Sequence, residues 1–115
     1  MNPGRELDAL IAEKVMGCKV MVREWGVYCD CGSLHTSKSD ESNQLAWYST
    51  DIAEAWEVVE KLCSRTGRSM TLAAAFDDRT KQMLYRCQST GGEFIDLISE
   101  TAPHAICLAA LKALT

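Results

Sequence analysis

The segment from Cys29 to His35 brings together residue types that bind metal ions. Cys29 and Cys31 are separated by one residue, and His35 follows four positions later. Thiolate sulfur and imidazole nitrogen are preferred ligands of Zn²⁺, which takes four ligands in structural sites. The fourth would come from Cys18 or Cys63. The spacing differs from the usual Cys-x-x-Cys and also fits two free thiols beside a solvent-facing histidine, so we assign no cofactor and keep zinc open.

A second pair of reactive residue types, His104 and Cys107, lies three positions apart near the C-terminus. On a helix this spacing puts both side chains on one face, but a nucleophilic thiolate needs an open, electropositive pocket. Cys107 stands among Ile106, Leu108 and Ala109, which predicts a buried, small apolar side chain. The sequence therefore predicts no catalytic residue and no enzymatic activity.

Four aromatic residues, Trp25, Tyr28, Trp47 and Tyr48, flank the least regular part of the chain. Aromatic side chains at the edges of loops offer stacking surfaces to a ligand or anchors to a protein partner. The same residues also fit the ends of a hydrophobic core. We take these four as the candidate binding residues and keep the core as the alternative.

The elements that position these residues belong to a chain of ordinary soluble composition. It has 115 residues, of which 47% are hydrophobic and 24% charged, so we expect one domain spanning 1–115. No apolar stretch is long enough to cross a bilayer, and the first residues do not resemble a signal peptide. We therefore expect a cytoplasmic protein whose six cysteines are free or bind metal.

The N-terminal half is predicted to start with a helix. Asn2 would cap it and Pro3 would occupy its first position, where a missing N–H costs nothing. Gly17 would end this helix, and residues 18–23 read as a strand. The polar residues Ser33–Asn43 are rich in turn formers, which predicts a mobile surface loop near 33–43.

The central segment gives the clearest helix signal. Ser49, Thr50 and Asp51 are possible caps, Asp51 with Glu54 fits a variant of the capping box, and Gly67 would end the helix. The predicted solvent-facing side of this helix consists of Glu54, Glu57, Glu60 and Lys61. The predicted apolar stripe consists of Ile52, Ala55, Trp56, Val59 and Leu62. Trp56 is accordingly expected in the core.

The C-terminal half reads as strands followed by a helix. Residues 69–76 and 82–88 form two strands, and residues 93–98 form a third strand or a helical turn. Thr101 or Ser99 would cap the last helix, which is apolar nearly all round and is therefore buried or meets a second subunit. We predict an α+β fold in which three helices pack around a small, mainly antiparallel sheet, as an α/β/α sandwich.

Several segments resemble a known family. They lie at both ends and in the centre of the chain: Asn2–Asp8, Ala12–Gly17, Tyr48–Trp56 and Ala102–Cys107. The chain resembles the phage ABA sandwich domain family of Gram-positive bacteria and their phages. This resemblance implies an α/β/α sandwich and an origin in a phage or prophage, and it implies no catalytic residues.

We therefore expect a non-enzymatic binding protein encoded by a phage or prophage, acting in the cytoplasm of the bacterial host. It would counter host defence by sequestering a small molecule, such as a nucleotide signal, or by binding a host protein. A net charge of −4 argues against nucleic acid as partner; we expect no membrane contact and a homo-oligomer. The alternatives are an RNA-binding module of double-stranded-RNA-binding-like topology, a zinc-binding domain using the Cys-x-Cys segment, and a zinc- or thiol-dependent hydrolase.

Overall fold

Helices and antiparallel strands alternate along the computed structural model, which describes residues 1–31, 35–38 and 43–114. The described elements are α1 (Arg5–Lys14), β1 (Val20–Arg23), β2 (Gly26–Cys29), α2 (Ile52–Thr66), β3 (Ser69–Asp77), β4 (Gln82–Thr90), β5 (Ile95–Ser99) and α3 (Ala102–Leu114). This confirms the predicted α+β class with three helices. Among the described residues, no helix is long and apolar enough to cross a membrane.

The strands form two separate antiparallel sheets rather than the one that was expected. β1 and β2 form a hairpin in which Val20 pairs with Cys29 at the base and Arg23 with Gly26 at the tip. β3, β4 and β5 form a meander with β4 in the centre. The run from 93 to 98, which the sequence left open, contributes the edge strand β5.

The last helix, α3, lies at the centre of the molecule. It packs against α1 and α2 and against the three-stranded sheet. Small residues on its buried face, Ala105, Ala109 and Ala110, allow this close approach. The apolar surface of α3 is thus covered within one chain. Of the two explanations for its apolar composition, burial in the core and contact with a second subunit, the structure supplies the first. A homo-oligomer stays a prediction.

The ends of α2 are those expected. Asp51 caps it by accepting hydrogen bonds from the backbone N–H groups of Ala53 and Glu54, and Gly67 ends it with a left-handed φ of 73°. The predicted faces were wrong at three positions: Ile52 is 48% exposed, Trp56 is 45% exposed, and Glu54 is buried. The inward face is rotated toward Glu54 because this carboxylate has hydrogen-bonding partners in the segment before the helix.

The predicted start of the first helix was also wrong. α1 begins at Arg5, its N-cap is Gly4, and no side chain caps it. A residue far along the chain holds the start of this helix, because Gly4 donates its N–H to Ser49 Oγ at 2.8 Å. Ser49 in turn donates its hydroxyl to the buried carboxylate of Asp8 at 2.7 Å. Asn2 and Pro3 lie before the helix.

The predicted mobile loop near 33–43 lies partly outside the described residues. Of that loop the structure describes His35–Lys38 and Asn43. Thr36 forms a bridge with Leu45, and Ser37 is buried. The mobility of the loop stays a prediction.

Candidate metal centre

Three elements bring the metal-binding residue types together at the base of the β1–β2 hairpin. Gly17, with a φ of +75°, turns the chain after α1 so that Cys18 donates its N–H to Ala12 O at 2.8 Å. Cys18 therefore lies between α1 and β1. Cys29 ends β2, and Cys31 follows two residues later, so the hairpin returns both to the side of Cys18.

The four donor atoms form one cluster. Cys18 Sγ lies 3.2 Å from Cys31 Sγ and 2.5 Å from His35 Nδ1. Cys29 Sγ lies 3.9 Å from the same nitrogen. All four donor atoms, one from each residue, lie within 4.8 Å of one another. Cys18 and Cys29 are buried, whereas Cys31 and His35 are half-buried.

Backbone hydrogen bonds hold the cysteine segment in this shape. Cys31 donates its N–H to Cys29 Sγ at 3.3 Å. Lys19 and Asp30 close the base of the hairpin, because Asp30 donates its N–H to Lys19 O and its carboxylate accepts the N–H of Lys19. The turn at the base of the hairpin therefore places the thiols on one side of it.

His35 is held by the segment that leads to α2. Its carbonyl accepts the N–H of Ala46 at 3.0 Å. Immediately after it, Ser37 Oγ and Lys38 N donate to one carboxylate oxygen of Glu54 at 2.6 and 2.9 Å. The other oxygen of Glu54 accepts the N–H of Trp47. The buried carboxylate thus ties the histidine segment to the first turn of α2.

Without a cation, the environment disfavours thiolates. Burial raises the pKa of Cys18 far above its ordinary value, and hydrogen bonds with Cys29 and Cys31 raise it further. The pKa of Cys31 is also raised: its hydrogen bond with Cys18 lowers it, but the hydrogen bond with Cys29 and burial outweigh this. Repulsion between neighbouring thiolates adds to these effects, and a bound divalent cation would reverse the preference.

The histidine is in the form that a metal requires. Burial lowers the pKa of His35, and the positive charge of Lys61 lowers it further, against the opposing effect of Glu57. The imidazole is therefore neutral near pH 7, with a lone pair available to an ion.

The donor set fits zinc. Zn–S bonds of about 2.3 Å and Zn–N bonds of about 2.0 Å put the ligand atoms of a tetrahedral site roughly 3.5 to 3.8 Å apart. The separations of 2.5, 3.2 and 3.9 Å bracket that range, so binding of zinc would move Cys18 Sγ and His35 Nδ1 apart by about 1 Å. Three thiols and one imidazole form a Cys₃His set, which is typical of structural zinc and leaves no open position for a substrate.

The structure thus brings together the three metal candidates of the sequence, Cys29, Cys31 and His35. Of the two residues considered as fourth ligand, Cys18 joins them, whereas Cys63 lies on α2 outside the cluster. Sequence spacing could not decide between them, because the choice depends on how α1 turns into β1. The sequence analysis also missed the role of Glu54. It placed this acidic residue on the solvent-facing side of the helix, and nothing in the sequence indicates that the side chain is buried.

The four candidate aromatic residues do not form one surface. Tyr48 is fully buried, which fits the alternative of a core residue, and its role in binding stays a prediction. The ring of Trp47 is covered by the guanidinium of Arg5, 3.6 Å from its centroid, and Tyr28 is half-buried in β2. Trp25 alone of the four is open, at 70% exposure on the tip of the hairpin. Its role in binding stays a prediction.

Fold and cluster together define a small α+β protein whose N-terminal hairpin carries a Cys₃His donor set. The family model of the phage ABA sandwich domain matches residues 9–111, so the chain belongs to that family. The resemblance seen in the sequence is confirmed, and the matched range includes all four donors of the cluster. No curated protein and no solved structure matches the chain.

Proposed function

We propose that this protein is a non-enzymatic binding protein of a phage or prophage, built on a structural zinc centre. The observation that carries the proposal is the convergence of Cys18, Cys29, Cys31 and His35 within 4.8 Å. The zinc ion would join the end of α1 to the base of the β1–β2 hairpin and to the histidine segment. Such an ion supplies folding free energy and no reaction step, because its four positions are filled by protein.

The second Cys–His pair supports a role without catalysis. Cys107 is fully buried, and burial, followed by the charges of Asp8 and Cys87, raises its pKa. A thiol of this kind is a poor nucleophile. Both ring nitrogens of His104 are engaged, by Ser99 Oγ and by the carbonyl of Met1, each at 2.6 Å.

A protein partner is better supported than a nucleotide. The basic residues that a nucleotide would need are dispersed: Arg23, Arg65 and Arg86 lie on β1, α2 and β4, and Arg68 and Lys81 lie in connecting segments. Arg65 and Arg68 donate to backbone carbonyls, and Arg86 pairs with a carboxylate. We propose that the protein acts in the cytoplasm of the bacterial host by occupying a host protein. RNA binding gains no further support from the geometry.

The test is the zinc content of the full chain, purified without chelator and measured by elemental mass spectrometry. We expect one zinc ion per chain, and Co²⁺ substitution should give the absorption bands of a tetrahedral thiolate site. Cys31→Ser should lower the zinc content, because a hydroxyl is a poor zinc ligand. Cys63→Ser, which removes a half-buried thiol outside the cluster, is the matched control and should retain zinc. A wild-type chain without zinc, or equal losses in both variants, would refute the proposal.

A further inference from the structure

A groove of about 470 Å³ lies between α1 and the β1–β2 hairpin. Its floor is apolar and consists of Ala9 and Leu10 from the helix and Val22 and Val27 from the hairpin. Val22 and Val27 are paired across the two strands, and Val22 is 70% exposed. Aliphatic side chains on both walls thus present a surface that an aliphatic side chain of a ligand would cover.

The rim of the groove is acidic. Glu6 and Glu13 line it and lie two helical turns apart, roughly 10 Å along the axis of α1. Neither forms an ion pair with another described residue. The lining cation, Arg5, is already engaged, because it donates to the carboxylate of Asp8 and to Leu45 O at 2.8 and 2.7 Å. The charge offered to a ligand is therefore negative.

The hairpin that forms one wall of the groove also carries an exposed aromatic residue. Trp25 lies in the turn between β1 and β2, beyond the pair formed by Arg23 and Gly26, and it does not line the groove. Exposed tryptophans are frequent anchors in protein interfaces.

The two walls of the groove meet at the metal centre. Cys18 follows α1, and Cys29 ends β2 at the base of the hairpin. An ion bound there fixes the angle between helix and hairpin, and with it the width of the groove. A groove whose walls are fixed before binding loses less conformational entropy when a ligand docks.

We propose that this groove docks a segment of a partner protein in which aliphatic side chains are flanked by lysine or arginine. The inference rests on the proposed zinc centre, which would fix the width of the groove. The acidic rim excludes nucleic acid and selects a basic segment.

The test is a titration of the zinc-loaded, isotopically labelled full chain with the blocked synthetic peptide Lys-Leu-Val-Lys, followed by NMR. We expect saturable shifts of the amide signals of Ala9, Leu10, Val22 and Val27. The peptide Glu-Leu-Val-Glu should bind measurably more weakly at low salt. Equal binding of both peptides, or shifts elsewhere only, would overturn the proposed groove.

Substitutions in the rim and in the floor of the groove separate the contribution of charge to peptide binding from that of apolar contact. Neutralising the rim with Glu6→Gln and Glu13→Gln should weaken binding of the lysine peptide by roughly three- to thirtyfold, as expected for two exposed ion pairs. Neutralising two acidic residues outside the groove, Glu93→Gln and Glu100→Gln, is the matched control and should leave binding unchanged. Val22→Ser, which removes aliphatic surface from the floor without adding charge, should also weaken binding of the lysine peptide.

Zinc content measured on the same samples keeps the two proposals distinguishable. A chain that retains zinc and fails to bind the lysine peptide contradicts the groove alone. A chain that lacks zinc contradicts the metal centre, whatever the peptide does. Equal effects of the rim and control variants would show a general charge effect and would likewise overturn the groove.

Discussion

The six cysteines divide into two groups with different chemistry. Cys18, Cys29 and Cys31 converge on one histidine at the base of a hairpin. Cys87 is buried in the core, where burial, and then the neighbouring Cys63, raises its pKa to about 11. Such thiols act as small apolar side chains and resist ionisation. Burial raises the pKa of Cys18 as well, so the convergence of four donor atoms, and not the pKa, distinguishes the cysteines that could hold a metal.

The carboxylate of Glu54 is one of the groups that hold the histidine segment in place. Glu54→Gln keeps the size of the side chain, but puts an amide NH₂ group where two oxygens accept three hydrogen bonds. We expect the free energy of unfolding to fall by about 1–3 kcal/mol, the cost of leaving a buried donor unpaired. Urea unfolding of the zinc-loaded protein measures this.

The exposed Glu60 lies on the same helix and provides the control. Glu60→Gln should change the free energy of unfolding by less than about 0.5 kcal/mol, as is usual for surface substitutions. A similar loss in both variants would show that the hydrogen bonds of Glu54 contribute nothing specific.

At the scale of elements, α2 shows which features of a helix are local. Asp51 and Gly67 set its two ends through their own chemistry, an oxygen acceptor and a left-handed backbone, and both were predicted. The face that turns inward depends on side chains from other segments. That is why the burial of Glu54 and the exposure of Trp56 were missed although the helix itself was expected.

Gly67 allows a direct test of this local control. A Cβ atom added there would have open space around it, but the residue has a φ of +73°. Gly67→Ala should therefore lower the free energy of unfolding by about 1 kcal/mol through backbone strain alone. Gly67→Asn should cost less, because asparagine tolerates the left-handed region better. Thermal or urea unfolding distinguishes the two, and an equal cost would point to a cause other than backbone conformation.

At the scale of the whole molecule, two parts differ in what stabilises them. α3 and the three-stranded sheet pack through apolar side chains, including Cys87, Ile106 and Ala109. The β1–β2 hairpin has only two short strands, and a two-stranded sheet is marginally stable by itself. The proposed zinc ion would supply what this hairpin lacks.

Removing the metal should therefore act locally. After treatment with a chelator, we expect the amides of β1, β2 and Leu45–Trp47 to exchange with solvent much faster, while those of β4 and α3 keep most of their protection. Hydrogen exchange read by NMR measures this. Unchanged exchange in the hairpin, or equal loss of protection throughout, would contradict a local role for the ion.

The sequence predicted well what depends on neighbours along the chain, and less well what depends on distant contacts. Cys29, Cys31 and His35 are close in sequence and were found as a group, whereas Cys18 was one of two choices until the turn at Gly17 was seen. Gly4 replaced Asn2 as the cap of α1 because Ser49, far along the chain, bonds to it. The groove beside α1 arises from the packing of a helix on a hairpin, which no spacing encodes.

If the donor cluster between α1 and the hairpin binds zinc as proposed, the stability of the protein depends on the free zinc concentration in the cell. A ligand that binds only the folded state stabilises it in proportion to the logarithm of its free concentration, so each tenfold change in free zinc alters stability by about 1.4 kcal/mol. Under the proposed centre, a host that withholds zinc would weaken this protein without touching its partner.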